Sequence, residues 1–269
     1  MELAHISDIH FGKIAHPTIV EDLVADVNAR GVGLVAVSGD LTQRARRSQF
    51  KAARAMLDAF EAPTLVVPGN HDVFAWWRRP ISRIFDPLRR YRQYITDNLT
   101  PTFVADEVAV LGINSAYGLT IKGGRIDASS REMIRSFFAA EGEGRFKALV
   151  VHHHLTKIHA LGRHDIARHA RRTLDAAMDA RIDLILCGHL HVSHIEPLEI
   201  IPGAHRLVIA SAGTATSSRG RKEHRDTNFY NLITVTEQAF VVEERRYDVE
   251  KGGFVEESTT RFERMSAGN

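Results

Sequence analysis

Cysteine is all but absent from this chain. Cys187 stands alone among 269 residues, so no intrachain disulfide can form, which fits a reducing compartment. Long apolar runs are absent too: nothing approaches the ~20 consecutive apolar residues of a membrane-crossing helix, and no membrane partner is expected. The formal net charge is only +2, which gives bulk electrostatics little grip on nucleic acid, so that partner is not expected either. The N-terminal Met-Glu-Leu-Ala-His has no basic stretch followed by an apolar one. A signal peptide is therefore not expected, and a cytoplasmic location is. A glycine-rich phosphate loop and a serine-centred nucleophile elbow are both missing, which argues against P-loop nucleotide hydrolysis and serine esterase chemistry. No internal repeat or low-complexity stretch is evident.

What is present is the balance of a soluble globular protein, 44% hydrophobic and 25% charged, in a chain long enough for a large core. The first half alternates. Residues 2–7, 33–38 and 63–68 read as short apolar strands. Residues 17–29 set Ile19, Val20, Leu23, Val24 and Val27 on one helical face, and residues 48–60 do the same with Phe50, Ala53, Met56, Leu57 and Phe60. This βαβαβ order calls for parallel strands with helices packed on the sheet. Residues 73–100 interrupt it with Trp76, Trp77, Phe85, Tyr91 and Tyr94 among many arginines, and read as a helical insert placed to overhang the preceding loop. The two tryptophans are expected to pack within that insert, with stacking on a substrate as the alternative.

Strands are expected again over 107–114, 146–151 and 183–187. A capping box, Ser129-x-x-Glu132, announces one intervening helix, and a second is expected over 168–181. Beyond 194 the period turns towards β, and 194–201, 206–211, 228–235 and 239–247 read as antiparallel strands. Residues 212–226 form a polar loop in which Arg219 and Arg221 are expected to be solvated, with a reach to phosphate as the alternative. The basic runs at 44–54 and 78–92 read as solvated helix faces, or alternatively as a rim that attracts phosphorylated substrates.

Five short motifs, each following an apolar run, carry the chemistry: Asp8-Ile-His10, Gly39-Asp40, Gly69-Asn70-His71-Asp72, His152-His153-His154 and Gly188-His189-Leu-His191. They supply carboxylates, an amide and imidazoles, ligand types that suit divalent transition metals. Residues two apart on an extended strand point the same way, so Asp8 and His10 are expected to grip one ion from a strand end. Glycine before Asp40 permits a sharp turn, and the two oxygens of Asp40 permit bridging. Asp72 is placed to orient the His71 imidazole. Taken singly, Asp-x-His or Gly-Asp at a strand end is more often a turn or helix cap than a ligand pair, and Gly-His-x-His is ambiguous; five together at strand ends are not explained by turn chemistry. Ser7 and Ser38 are expected only to tighten turns, Asn114-Ser115 to close a strand, and Cys187 to be a buried structural thiol.

The set resembles the calcineurin-like metallophosphoesterases, most nearly the bacterial cyclic-nucleotide and glycerophosphodiester phosphodiesterases, over residues 3 to about 191. The resemblance implies an α/β fold, a four-layer αββα sandwich of two mixed β-sheets flanked by helices. One domain is expected over 1–262, with 73–100 as a helical cap or insert, 194–262 as a β-rich part and 263–269 as a frayed tail. The resemblance implies two divalent metal ions (Mn, Fe, Zn or Co), one held by Asp8, His10, Asp40 and His191, the other by Asp40, Asn70, His152 and His189. His153 is the alternative to His152, because the family often shows His-His-Pro where this chain has three histidines and Leu155. His71, supported by Asp72, would act on the phosphoryl group without binding metal. The implied reaction is hydrolysis of a small phosphorylated substrate, a phosphodiester first, by in-line attack of a hydroxide held between two cations. A phosphomonoesterase, a nucleoside-diphosphate-lipid pyrophosphatase and a non-catalytic scaffold on the same fold are the alternatives. Nothing in the sequence opposes a homo-oligomer.

Overall fold

The structure, a computed structural model, describes residues 1–264 except 76, 78–79, 120–122, 143, 159–164, 199–206 and 221–226. Trp76, Arg78, Arg79, Arg221, His159, His164 and the expected strand residues 199–201 and 206 lie outside the described residues.

Among the described residues the chain forms two six-stranded sheets. The first contains β1 (Glu2–Ile6), β2 (Leu34–Val37) and β3 (Thr64–Val66), all parallel, extended on the β1 side by β10 (Phe229–Val235), β11 (Ala239–Asp248) and β12 (Gly253–Glu263), which run antiparallel to their neighbours. The second is ordered β4 (Thr102–Val104), β5 (Val108–Ile113), β6 (Phe146–Val151), β7 (Leu184–Cys187), β9 (Leu207–Ser211), β8 (His194–Leu198). Its four inner strands are parallel, and β4 and β8 are antiparallel edges.

Strand alternation explains the layering. In β2, Leu34 and Ala36 face the other sheet while Val35 and Val37 face outward; in β6, Ala148 and Val150 face inward while Leu149 and Val151 face outward. Both faces of these strands are buried, which is why they read as continuous apolar runs. The outer face of the first sheet is covered by α1 (Ile19–Ala29), α2 (Arg47–Asp58) and α4 (Arg89–Tyr94), and that of the second by α5 (Ala128–Ala140) and α6 (Ala170–Asp179). The result is the α/β four-layer αββα sandwich, two mixed sheets with helices outside. No helix among the described residues is long and apolar enough to cross a membrane.

Several local expectations are corrected. β9 is antiparallel only to β8; it inserts between β8 and β7 and runs parallel to β7. The eleven-residue β12 was not foreseen, because only Phe254 and Phe262 of its side chains are buried and, Gly253 and Val255 apart, the rest are polar. That composition suits an exposed edge strand. The N-cap of α5 is Asp127, whose carboxylate accepts from Ser130 N at 2.9 Å, while Ser129 lies inside the helix and donates to Asp127. The segment 73–100 is not wholly a cap: α4 belongs to the helical layer, with Tyr91 fully buried and its hydroxyl donating to Val66 O. Trp77 is exposed, with Arg44 over its ring, and does not pack in a core. Arg83, on α3 (Pro80–Phe85), is buried and donates to Gly118 O and Phe74 O, so it is no solvated face residue.

Candidate metal centre

The five motifs meet at one edge of the sandwich. Each lies just past the carboxyl end of a parallel strand: β1, β2 and β3 in one sheet, β6 and β7 in the other. Open α/β sheets bind ligands at such ends. Two glycines let loops from opposite sheets touch. At Gly39, with φ +93°, a Cβ would lie 2.8 Å from both Gly69 N and His152 Nδ1; at Gly188 it would lie 1.8 Å from Ser7 Oγ and 2.5 Å from Asp8 Oδ2.

Asp8 and His10 are not on extended strand, because β1 stops at Ile6. Asp8, His10, Asp40, His189 and His191 all have φ between 52° and 73°, and they are five of the eight non-glycine residues with positive φ among those described. Asp and His tolerate this region better than most side chains. Its concentration here marks a site whose backbone is fixed by its surroundings. His189 and His191 consequently diverge, His189 towards Asn70 and His191 towards Asp8 and His10.

Each carboxylate uses one oxygen to fix itself and leaves the other bare. Asp8 Oδ2 accepts from Ser7 Oγ at 2.7 Å and His189 N at 2.8 Å. Its Oδ1 is buried without a hydrogen-bond partner, 3.5 Å from His10 Nε2 and 3.4 Å from His191 Nε2. Asp40 Oδ1 accepts from His71 N at 2.7 Å, while Oδ2 is buried without a hydrogen-bond partner, 3.7 Å from His10 Nε2 and 3.4 Å from His152 Nε2. One oxygen of Asp40, rather than one of each, therefore faces both groups.

The imidazoles are oriented from behind. His152 Nδ1 donates to Ser38 O at 2.7 Å and His10 Nδ1 to Thr42 O at 3.4 Å, which turns the Nε2 lone pairs inward. Asn70 Oδ1 lies 3.2 Å from His152 Nε2 and 2.9 Å from His189 Nδ1. The donors form two adjoining groups, Asp8–His10–Asp40–His191 and His152–His153–His189, each with its ligand atoms within 4.8 Å of one another. Crowding buried acceptors together without donors costs several kcal/mol per charge unless a cation lies among them. Carboxylate, imidazole and amide oxygen, with no thiolate, match divalent first-row metals. The residues present thus fit a pair of ions.

The electrostatics agree. Burial opposes the charge of Asp8 and Asp40, yet the surrounding imidazoles, His191 for the first and His152 for the second, hold both carboxyls below the ordinary range. Burial pushes the His71 imidazole down to about 4 and the His191 imidazole to about 3, and with neighbouring imidazoles it depresses His153 and His189. Neutral imidazoles are the form that ligates metal. His152 goes the other way: burial would lower it, but Asp40 raises it to about 9. A cation beside Asp40 would displace that proton.

His71 sits at the rim with Nδ1 donating to Gln43 O at 2.9 Å and its ring edge-on to His10. Asp72 does not orient it. Its carboxylate accepts from Leu41 N, Thr42 N, Thr42 Oγ1 and Gly69 N, and so ties the Asp40 loop to the Asn70 loop. Burial and the charge of Asp40 push that carboxyl up to about 6 against these four donors. His153 Nδ1 pairs with Ser115 Oγ at 2.8 Å, while its Nε2 is buried without a partner. His154 is held away from the centre by Ser211 and Cys187. Cys187 is buried, and burial pushes its thiol above the ordinary range. Ser7 does more than tighten a turn, since it bonds the Asp8 carboxylate. The sequence reading also passed over Gln43, Thr42 and the contact of Arg219 with His71; only polar loop composition hinted at them.

Comparison with known proteins agrees with this geometry. The family model described as calcineurin-like phosphoesterase matches residues 1–193. Glycerophosphodiester phosphodiesterase GpdQ of Enterobacter lignolyticus is 38% identical over 94 residues, covering 30% of this chain and 34% of that protein, so the match spans about a third of the curated relative. Among solved structures, purple acid phosphatase PPD1 from yellow lupin (Lupinus luteus) superposes with a TM-score of 0.72 at 12% identity, over 98% of this chain and 54% of that one. A dimetal phosphatase from Danio rerio gives 0.65 at 12% identity, over 95% and 98%. At these identities the structures speak for the fold, and the family model, which covers well over half of the residues, shows that the chain belongs to the calcineurin-like phosphoesterases.

Proposed function

We propose that the chain is a dinuclear metal-dependent phosphodiesterase. The observation that carries this reading is a pair of adjoining donor groups, the first holding two buried carboxylate oxygens that no hydrogen bond satisfies, Asp8 Oδ1 and Asp40 Oδ2, the latter 3.4 Å from His152 Nε2 of the second. Asp8, His10, Asp40 and His191 would hold one ion, and Asp40, Asn70, His152 and His189 the other. When bound, the ions supply a Lewis-acidic centre that polarises a phosphoryl oxygen and activates water near neutral pH.

The chain's own residues do the rest. The two carboxylates balance part of the cationic charge, and the Ser38 and Thr42 carbonyls hold His152 and His10 in the ligating tautomer. His71, whose Nδ1–H is committed to Gln43 O, presents an Nε2 lone pair at the rim; once that nitrogen has taken a proton from solvent water it can pass it to the leaving oxygen. Asp72 holds the loops of Asp40 and Asn70 in register. Similarity to a glycerophosphodiester phosphodiesterase supports the diester preference.

The test is hydrolysis of bis-p-nitrophenyl phosphate against p-nitrophenyl phosphate by protein loaded with Mn(II), with and without prior chelation. Diester cleavage that is lost on chelation and restored by metal is expected. Cleavage of the monoester alone would overturn the diester preference, and activity indifferent to chelators would overturn the metal mechanism.

A further inference from the structure

Arg219 lies far from the five motifs in sequence, yet its NH1 donates to His71 Nε2 at 2.9 Å and to Gln43 Oε1 at 3.2 Å. We propose that Arg219 binds a non-bridging oxygen of the substrate's phosphoryl group, an inference that rests on the phosphoesterase reading and adds an anion-binding residue to it.

Three observations carry it. First, the segment bearing Arg219 is fastened to the loop bearing Asp8 and His10. Thr214 Oγ1 donates to Asp8 O and Thr216 Oγ1 to Ile9 O; Ala15 N donates to Thr216 O, Ser218 N donates to Lys13 O, and Ile14 pairs with Ser217 as an isolated bridge. The guanidinium therefore springs from backbone held in register with two candidate ligands. Second, the guanidinium reaches the rim of the centre: its NH1 meets His71, whose ring stands edge-on to that of His10 with the centroids 4.9 Å apart. Third, the contact with His71 is one a substrate would exchange. A phosphoryl oxygen is a charged acceptor and makes a shorter, stronger bond to a guanidinium than a neutral imidazole does. Moving NH1 from His71 to that oxygen would also uncover His71 Nε2, the nitrogen needed at the leaving oxygen. The planar fork of arginine suits a tetrahedral oxyanion better than a lysine point charge.

The test uses the Mn(II)-loaded 269-residue chain and inorganic phosphate as probe, read by calorimetry and by competitive inhibition, alongside kcat and KM for the two nitrophenyl esters. Arg219→Ala is expected to weaken phosphate binding roughly 10- to 100-fold and to raise KM, with metal content and Tm unchanged. Arg219→Lys, which keeps the charge, should recover part of both and covers the case in which the alanine variant folds poorly. The phosphate-binding loss should persist when His71→Ala is the background. A loss that vanishes in that background would make Arg219 only a prop for His71, and unchanged phosphate affinity in Arg219→Ala would exclude contact; either overturns the inference. Wild-type protein that binds phosphate through Arg219 but hydrolyses neither ester would overturn the hydrolase reading alone.

Discussion

Asp72→Ala separates two accounts of a motif residue. If Asp72 served His71, its removal would slow turnover and leave stability alone. The structure instead gives its carboxylate four donors: Thr42 N at 2.9 Å and Thr42 Oγ1 at 3.0 Å on one oxygen, and Gly69 N at 3.0 Å and Leu41 N at 3.2 Å on the other. All lie in a region where Asp72 is 1% exposed. Hydrogen bonds to a charged acceptor contribute about 1.5–3 kcal/mol each, and a buried donor left unpaired costs about 1–3 kcal/mol. The Thr42 hydroxyl can still turn to His71 O, which it already meets at 3.0 Å. Water entering the space left by the carboxylate can satisfy one or two of the three amides. The net loss is then about 3–5 kcal/mol, large for a single substitution. Asp72→Asn keeps one oxygen but presents NH₂ to the other pair of donors, and should lose about half as much. Urea unfolding of chelated protein reads the stability term, and metal content after gel filtration reads the register of the Asp40 and Asn70 loops. A stability change below about 1 kcal/mol with turnover much reduced would refute this account and return Asp72 to a role through His71.

Asp40→Asn should lose both ions and Asp8→Asn should retain one, as read by elemental analysis; His152→Ala should lose metal, whereas His153→Ala should keep it, because of these two it is His152 whose Nε2 faces Asp40 Oδ2. Asp26→Ala removes the partner that holds Arg245 Nε at 3.0 Å and NH2 at 3.2 Å and also takes the Tyr230 hydroxyl bond. It should cost about 3 kcal/mol in urea unfolding, with kcat/KM of metal-loaded protein unchanged. Asp127→Ala removes the N-cap of α5 and should cost about 1 kcal/mol at neutral pH. The Ser130 N–H, and then the Ser129 hydroxyl, hold the Asp127 carboxyl down at about 2, below its unfolded value of about 4. Its contribution is therefore present above about 4 and fades as pH falls through about 2, so the gap between wild type and variant should close over that window in acid unfolding.

The architecture was legible where burial leaves a mark on composition. β2, β5, β6 and β7 are buried along their whole length, and their apolar runs announced parallel strands. The donor residues were legible because few residue types can do that chemistry and because strand ends put them in loops. What sequence could not carry was direction. The rule that residues two apart point alike assumes extended backbone, and Asp8 and His10 lie past the strand with φ of 53° and 52°. No sequence pattern distinguishes an Asp in that conformation from an Asp in an ordinary turn. What fixes it are partners far along the chain: the carbonyls of Gly39 and Asp40 take the amides of Asp8 and His10, and Thr214 takes the Asp8 carbonyl. Arg219 was obscure for the same reason, since its place depends on pairing between residues 13–15 and 216–218. The residue types of this centre are local information, whereas its geometry is long-range. Substitutions at Thr214 and Thr216, which touch no candidate ligand side chain, should therefore reach the metal centre through the Asp8–His10 backbone.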